Sequence, residues 1–286
     1  MEDLYNFTGI SRQGIWKYKR KIKEEELVEK AVLSSVAQWR KLHPGMGARP
    51  LYHTMKNHGV TLGIGINRFE KLLKINGLNV RRVKSFIPKT SDGKGKGKYR
   101  NLTNGLIIND INQLLVGDIS YYFVDGKWHY VFSLKDVYSQ RFYKLVPSKT
   151  LEAKNAIECL MSVIHLRGRK VLKKCIHHTD NGSQYNSLPY LELLHKYNFR
   201  ISRAENCQQN GSAEQGNYIY KSMYFEKWGV STFKELKEAC KEFEYLNNHQ
   251  RAIKQLRNIS PVRFEKDLKN IPLESRVKKI MYDFTD

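Results

Sequence analysis

Apolar positions along this chain change their period near residue 110. Between residues 27 and 80 they recur every three or four positions, in stretches divided by Gly and Pro. The spacing predicts helices over Val28–Leu42, Ala48–Asn57 and Ile66–Ile75, the last with Phe69, Leu72, Leu73 and Ile75 on one face. Pro44-Gly45-Met46-Gly47 and Gly59-Val60-Thr61-Leu62-Gly63 act as breakers, and Gly77 closes the series. Residues 26–80 are therefore expected to form a small all-α helix-turn-helix DNA-binding domain, with a purely scaffolding helical unit as the alternative. Ahead of it, Gly9 can end one helix and Ser11 can cap the next. Residues 1–25 are expected to form a helix-turn-helix-like element presenting Arg12, Gln13 and Lys17 to a groove; a basic surface helix would carry the same residues.

Beyond residue 110 the apolar positions read as strands. Leu114–Val124 and Trp128–Val137 flank Asp125-Gly126, the signature of a hairpin. Further strands are expected at Arg141–Val146, Val171–His177 and Phe199–Ser202, with helices over residues 151–166, Leu188–Tyr197 and Ala213–Trp228. Three strands, helix, strand, helix, strand, helix is the order of an α/β, ribonuclease-H-like fold, although mixed sheets with one meander occur in other folds too. It places a catalytic core at 108–250 and leaves 251–286 as a C-terminal tail.

Between the two patterns, residues 81–107 read as a basic linker. Residues 81–100 hold eight Lys/Arg against one Asp. Arg81, Arg82, Lys94, Lys96 and Lys98 could lie along a phosphate backbone, which a solvated tether would also permit. The whole chain carries a net charge of +22 and a pI of about 9.7, which fits a polyanionic partner. Ribosomal and anionic-membrane proteins can be as basic. A 41% hydrophobic content supports a buried core. No run approaches the ~18 apolar residues of a membrane span, and Met1-Glu2-Asp3 does not begin a secretory signal. Cys159, Cys175, Cys207 and Cys240 form no CxxC pair, which argues against a disulfide framework or zinc site and for a cytoplasmic protein.

Three acids suit phosphoryl-transfer chemistry. Asp118 lies inside the apolar run Leu115–Tyr121, where a charge is costly unless paired or metal-bound. Asp180 follows a strand and precedes Asn181-Gly182, the context of an exposed strand end and equally of an ordinary turn Asp. Glu214 opens a helix, where it could also serve the helix dipole. Asn217 and Lys221 stand three and seven residues on, the same face, as for a helix laid against a DNA backbone. Divalent ions take oxygen ligands, and a pair about 4 Å apart can serve both attacking and leaving oxygens. His177 and His178 lack a second ligand cluster and read as ordinary structural histidines.

Several segments recur together: Val116–Tyr122, Lys135–Arg141, His177–Tyr185, Asn206–Glu214 and Tyr245–Arg251 through Ser260-Pro261. In this order they resemble the OrfB-type transposases of the IS-three insertion-sequence family, in the retroviral integrase superfamily, over almost the whole chain. The resemblance implies a DDE core in which Asp118, Asp180 and Glu214 are catalytic and bind Mg²⁺, with Mn²⁺ substituting. It puts Lys221 against the DNA end, and matches Asn247, Asn248 and Arg251 to a C-terminal signature. It also implies double-stranded DNA partners (terminal inverted repeats and target), a homo-oligomer on paired ends, a circular or figure-eight intermediate, an upstream-frame partner protein, and action at the bacterial nucleoid without a membrane. The chain departs from the pattern at Gln209-Asn210, at Gln215 and Tyr220, and in a short span of 33 residues between Asp180 and Glu214. Those departures motivate an alternative, a transposase-derived DNA-binding or regulatory protein. A ribonuclease H has no need of the N-terminal helices.

Overall fold

The N-terminal apolar stripes fold as three helices closing on one cluster. The computed structural model describes residues 11–80 and 99–283. Helix α1 (Arg12–Leu42) is capped by Ser11, whose hydroxyl accepts from the Gly14 N–H at 3.1 Å. Helices α2 (Ala48–Asn57) and α3 (Ile66–Ile75) occupy the spans expected of them. Val36, Met46, Leu51, Met55, Phe69 and Leu73 interlock between the three, while Arg68 of α3 pairs with Glu25 and Glu29 of α1. The expected division near residue 25 is absent. α1 is one helix of 31 residues, because after Gly14 no breaker interrupts it, and the i,i+4 pairs Arg20–Glu24 and Lys21–Glu25 support the turns leading up to the boundary. Gly9 and the linker cations Arg81, Arg82, Lys94, Lys96 and Lys98 lie outside the described residues.

The second pattern builds a mixed sheet. In chain order the elements are β1 (Ile107–Ile108), β2 (Leu114–Val124), β3 (Lys127–Asp136), β4 (Val146–Ser148), α4 (Ala153–Arg167), α5 (Arg169–Leu172), β5 (Ile176–Thr179), α6 (Leu188–Lys196), β6 (Arg200–Arg203), α7 (Gly211–Tyr220), α8 (Glu226–Trp228), α9 (Phe233–Tyr245), α10 (Pro261–Leu268) and β7 (Lys279–Ile280). The five-stranded sheet runs β4-β3-β2-β5-β6, with an antiparallel meander and then two parallel strands. Asp125 (φ 53°) and Gly126 (φ 70°) make the hairpin turn that their dipeptide predicts. One sheet face is covered by α4 and α6 around Leu115, Phe132, Leu160 and Leu194. The other is covered by α7 and α9 around Tyr122, Val131, Tyr220 and Phe243.

Three expectations need correction. The third strand is Val146–Ser148 rather than 141–146, since left-handed Gln140 (φ 59°) breaks the return and Phe142 makes only a bridge to Lys135. The fourth strand starts at Ile176, because residues 169–172 are helical and Lys174 (φ 68°) turns the chain. The helix expected over Ala213–Trp228 comes in three pieces, α7, a π-turn at Lys221–Phe225, and α8.

Residues 251–283 pack as part of the core instead of trailing from it. Buried Glu265 on α10 accepts from Ser139 Oγ at 2.8 Å, pairs with Arg141 at 2.8 Å, and pairs also with Arg167. β7 pairs with β1. Within the C-terminal signature, Asn248 exchanges two hydrogen bonds with the Phe142 backbone, at 3.0 and 2.7 Å, standing in for a strand partner. Among the described residues no helix is long and apolar enough to cross a membrane.

Candidate active site

Glycine sets the closeness of the two central strands. A Cβ on Gly117 would stand 3.2 Å from Thr179 Cγ2 and 3.3 Å from Leu134 Cδ1. A larger residue would have to push these side chains aside, and the close pairing of β2 with β5 brings Asp180, just past β5, beside Asp118 in mid-β2. Asp180 stands on the exposed rim, its Oδ1 accepting from the Gly182 N–H at 3.1 Å. Glu214 occupies the exposed first turn of α7. That helix settles onto β2 and β3 through Gly216, where a Cβ would meet Phe142 at 3.0 Å, and through buried Lys135, whose Nζ donates to Ser212 O at 2.7 Å.

The electrostatics mark a site that repels its own charge. Asp118, half-buried, is pushed up to about 7, first by burial and then by the charge of Asp180, with a smaller push from Glu214. The Ile119 N–H and the Asn217 amide oppose the rise. Asp180 and Glu214, although they reach solvent, are also raised, in both cases chiefly by partial desolvation against the surrounding protein. The repulsion that Asp180 and Glu214 exert on Asp118 fits a cation, which would remove it. As it stands, no three His, Cys, Asp or Glu side chains among the described residues are gathered closely enough to hold an ion.

Asn217, expected against DNA, faces the acids. Its Nδ2 donates to Asp118 Oδ2 at 2.5 Å, and its Oδ1 lies 2.5 Å from the Tyr220 hydroxyl. Tyr220 is fully buried and also reaches Ser120 Oγ at 2.7 Å. This support for Asp118 is missed from sequence; its signals are the Ser two places along the strand from Asp118 and the i,i+3 spacing of Asn217 and Tyr220. Lys221 comes next, half-buried, its pKa lowered by burial against the pull of Glu226 and Asp118. Arg12 and Lys17 lie on the exposed first turns of α1. His177 and His178 are buried and held neutral, with Tyr190 at 2.9 Å from the first and Ser202 and Gln209 O at 2.8 and 3.1 Å from the second. The short approach to Glu214 is an ordered 3₁₀ turn, Cys207–Asn210, pinned by Asn210 Nδ2 on Gly117 O at 3.3 Å.

The chain is similar to several known proteins. Residues 109–207 match the family model "Integrase core domain", a span that holds Asp118 and Asp180 and ends before Glu214. The chain is 24% identical over 266 residues to an insertion element IS600 uncharacterized protein of Shigella sonnei, covering 90% of this chain and 95% of that one. It is 28% identical over 145 residues to the transposase InsF for insertion sequence IS3A of Escherichia coli, half of each chain. The simian T-cell lymphotropic virus intasome superposes with a TM-score of 0.48 at 18% identity, over 79% of this chain and 73% of that one. The integrase-core match and the sheet order define a ribonuclease-H-like polynucleotidyl transferase of the DDE class. Such enzymes depend on divalent metal ions. Within that class, the chain is similar to insertion-sequence transposases of the IS-three family.

Proposed function

We propose that Asp118, Asp180 and Glu214 are the catalytic acids of this transposase, and that they hold its divalent ions. The observation that carries the reading is the pairing of Asp118 with Asp180 under the helix that bears Glu214, each acid raised in pKa. Inward rotation of the exposed Glu214 side chain completes the set. Mg²⁺, or Mn²⁺ in its place, would supply Lewis acidity at the reacting phosphate when bound. The chain's own residues do the rest. Asn217, braced by Tyr220, orients the Asp118 carboxylate, and the Gly182 N–H fixes Asp180. Lys221, on the same helix as Glu214, neutralises a phosphate of the DNA end. Water attacks the phosphodiester at the element's end and a 3′-hydroxyl leaves. That hydroxyl then attacks a target phosphodiester, so one P–O bond forms as one breaks.

The helical unit with Arg12 and Lys17, together with the cations Arg81, Arg82, Lys94, Lys96 and Lys98, is read as the grip on terminal inverted repeats. A helical unit that ends before residue 81 and a catalytic core that takes in residues 251–283 correspond to that division of labour. Copies assemble on paired ends and act on nucleoid DNA in the cytoplasm, with an upstream-frame protein as partner. The regulatory alternative loses its motive, because the shortened segment before Glu214 is ordered and anchored on Gly117. The test is cleavage of a duplex carrying the inverted repeat that flanks this reading frame. Mg²⁺-dependent nicking, abolished in Asp180→Asn with DNA binding retained, is the expected result. Binding without cutting at any Mg²⁺ or Mn²⁺ concentration would overturn the proposal.

A further inference from the structure

Two irregular turns of the catalytic domain meet the helical unit. In Lys221–Phe225 the Glu226 N–H donates to Lys221 O, five residues back instead of four. In Leu246–Gln250 the Arg251 N–H does the same to Leu246 O. One extra residue rotates the next turn by about 100° relative to an unbroken α-helix. The first π-turn thus lets Lys221 keep its place near Asp118 while Tyr224 and Phe225 pack fully buried behind it. Such turns are rare and need support from outside the helix.

The support comes from His43-Pro44-Gly45, the breaker between α1 and α2. The fully buried His43 ring places Nδ1 at 2.9 Å from the Tyr224 hydroxyl and Nε2 at 3.2 Å from Gln250 Oε1. An amide oxygen only accepts, so Nε2 carries the proton and Nδ1 accepts from Tyr224. One neutral ring therefore ties both π-turns together. Next to it, a Cβ on Gly45 would stand 2.4 Å from Met223 Cα and O, a distance no other residue tolerates. Trp228 Nε1 donates to Lys41 O at 3.1 Å just beyond.

We propose that His43 is a positioning residue for strand cleavage and transfer, holding both π-turns so that Lys221 is set against the acids only while the helical unit is docked. This rests on the reading of Lys221 as a DNA-end contact. The full chain is assayed with a duplex carrying its flanking inverted repeat, measuring binding and single-turnover cleavage separately. His43→Ala and Tyr224→Phe, the latter losing only a hydroxyl, are expected to slow cleavage about tenfold with unchanged DNA affinity. On a Lys221→Ala background, Tyr224→Phe is expected to add no further loss. Should His43→Ala fail to fold, as a melting curve would show, Tyr224→Phe carries the test. Full-rate cleavage by Tyr224→Phe, or a loss that multiplies with that of Lys221→Ala, would overturn the proposal. Wild-type cleavage by Lys221→Ala alone would instead overturn the reading of Lys221.

Discussion

Asp118→Asn should stabilise the metal-free protein by an amount that grows as pH rises above about 4 and is complete above neutral pH. Folding raises the Asp118 carboxyl from 3.8 to about 7, by burial and by the neighbouring Asp180 charge. Between those values the folded chain keeps a proton that the unfolded chain releases. Stability from this group is therefore fully present below pH 3.8, is lost as pH rises through the window, and stays lost above 7. At about 1.4 kcal/mol for each tenfold change in proton affinity, the displacement sets a ceiling of about 4 kcal/mol. Asp118 is only half-buried, and solvent screening reduces this to about 1–2 kcal/mol. Asn keeps an oxygen for the Asn217 amide and sheds the charge. In EDTA at pH 8, the variant is expected to melt about 3–6 °C above wild type, with no difference at pH 4. Mg²⁺ should reverse the order, by stabilising wild type alone. Equal melting temperatures at pH 8 without metal, or a lower one for the variant, would refute the picture of self-repelling acids.

Single side chains carry further consequences. Glu265→Ala leaves Arg141 and Arg167 without their buried carboxylate and should cost about 3–5 kcal/mol in denaturant unfolding. Asn248→Ala strands the Phe142 N–H and carbonyl, for about 2–3 kcal/mol in the same measurement. Asn217→Ala removes the donor on Asp118 and should lower single-turnover cleavage by about 10–100-fold, a loss of ~1.5–3 kcal/mol, while gel-shift affinity for the DNA end stays unchanged.

Where Gly and Pro punctuate an apolar stripe, the chain announces its own structure. α2 and α3 begin and end where Gly47, Gly59, Gly65 and Gly77 allow, and Asp125-Gly126 forms the hairpin its φ preferences demand. Boundaries decided by tertiary contact are not written locally. Ser222-Met223-Tyr224-Phe225 keeps helical spacing and reads as unbroken helix, while the π-turn depends on Gly45 and His43 from some 180 residues earlier. The continuity of α1 past residue 25 is a positive signal of the same local kind, since nothing in residues 15–42 stops a helix. Among the site residues, the three acids are legible through their contexts and the motif order around them. Asn217 reads as facing DNA because its spacing from Glu214 fixes a helical face but not what that face meets. Its partner on that face, Tyr220, looks merely unusual until burial places its hydroxyl between Ser120 and Asn217.

The central claim is that Asp118, Asp180 and Glu214 converge on divalent metal. Loading the protein with Fe²⁺ and generating hydroxyl radicals with ascorbate and peroxide cuts the backbone beside the bound ion. The fragments, mapped by mass spectrometry, are expected to end near residues 118, 180 and 214 together, to disappear when excess Mg²⁺ competes, and to be lost in Asp180→Asn. Cuts that miss any one of the three acids, or that gather at His177-His178 instead, would contradict it.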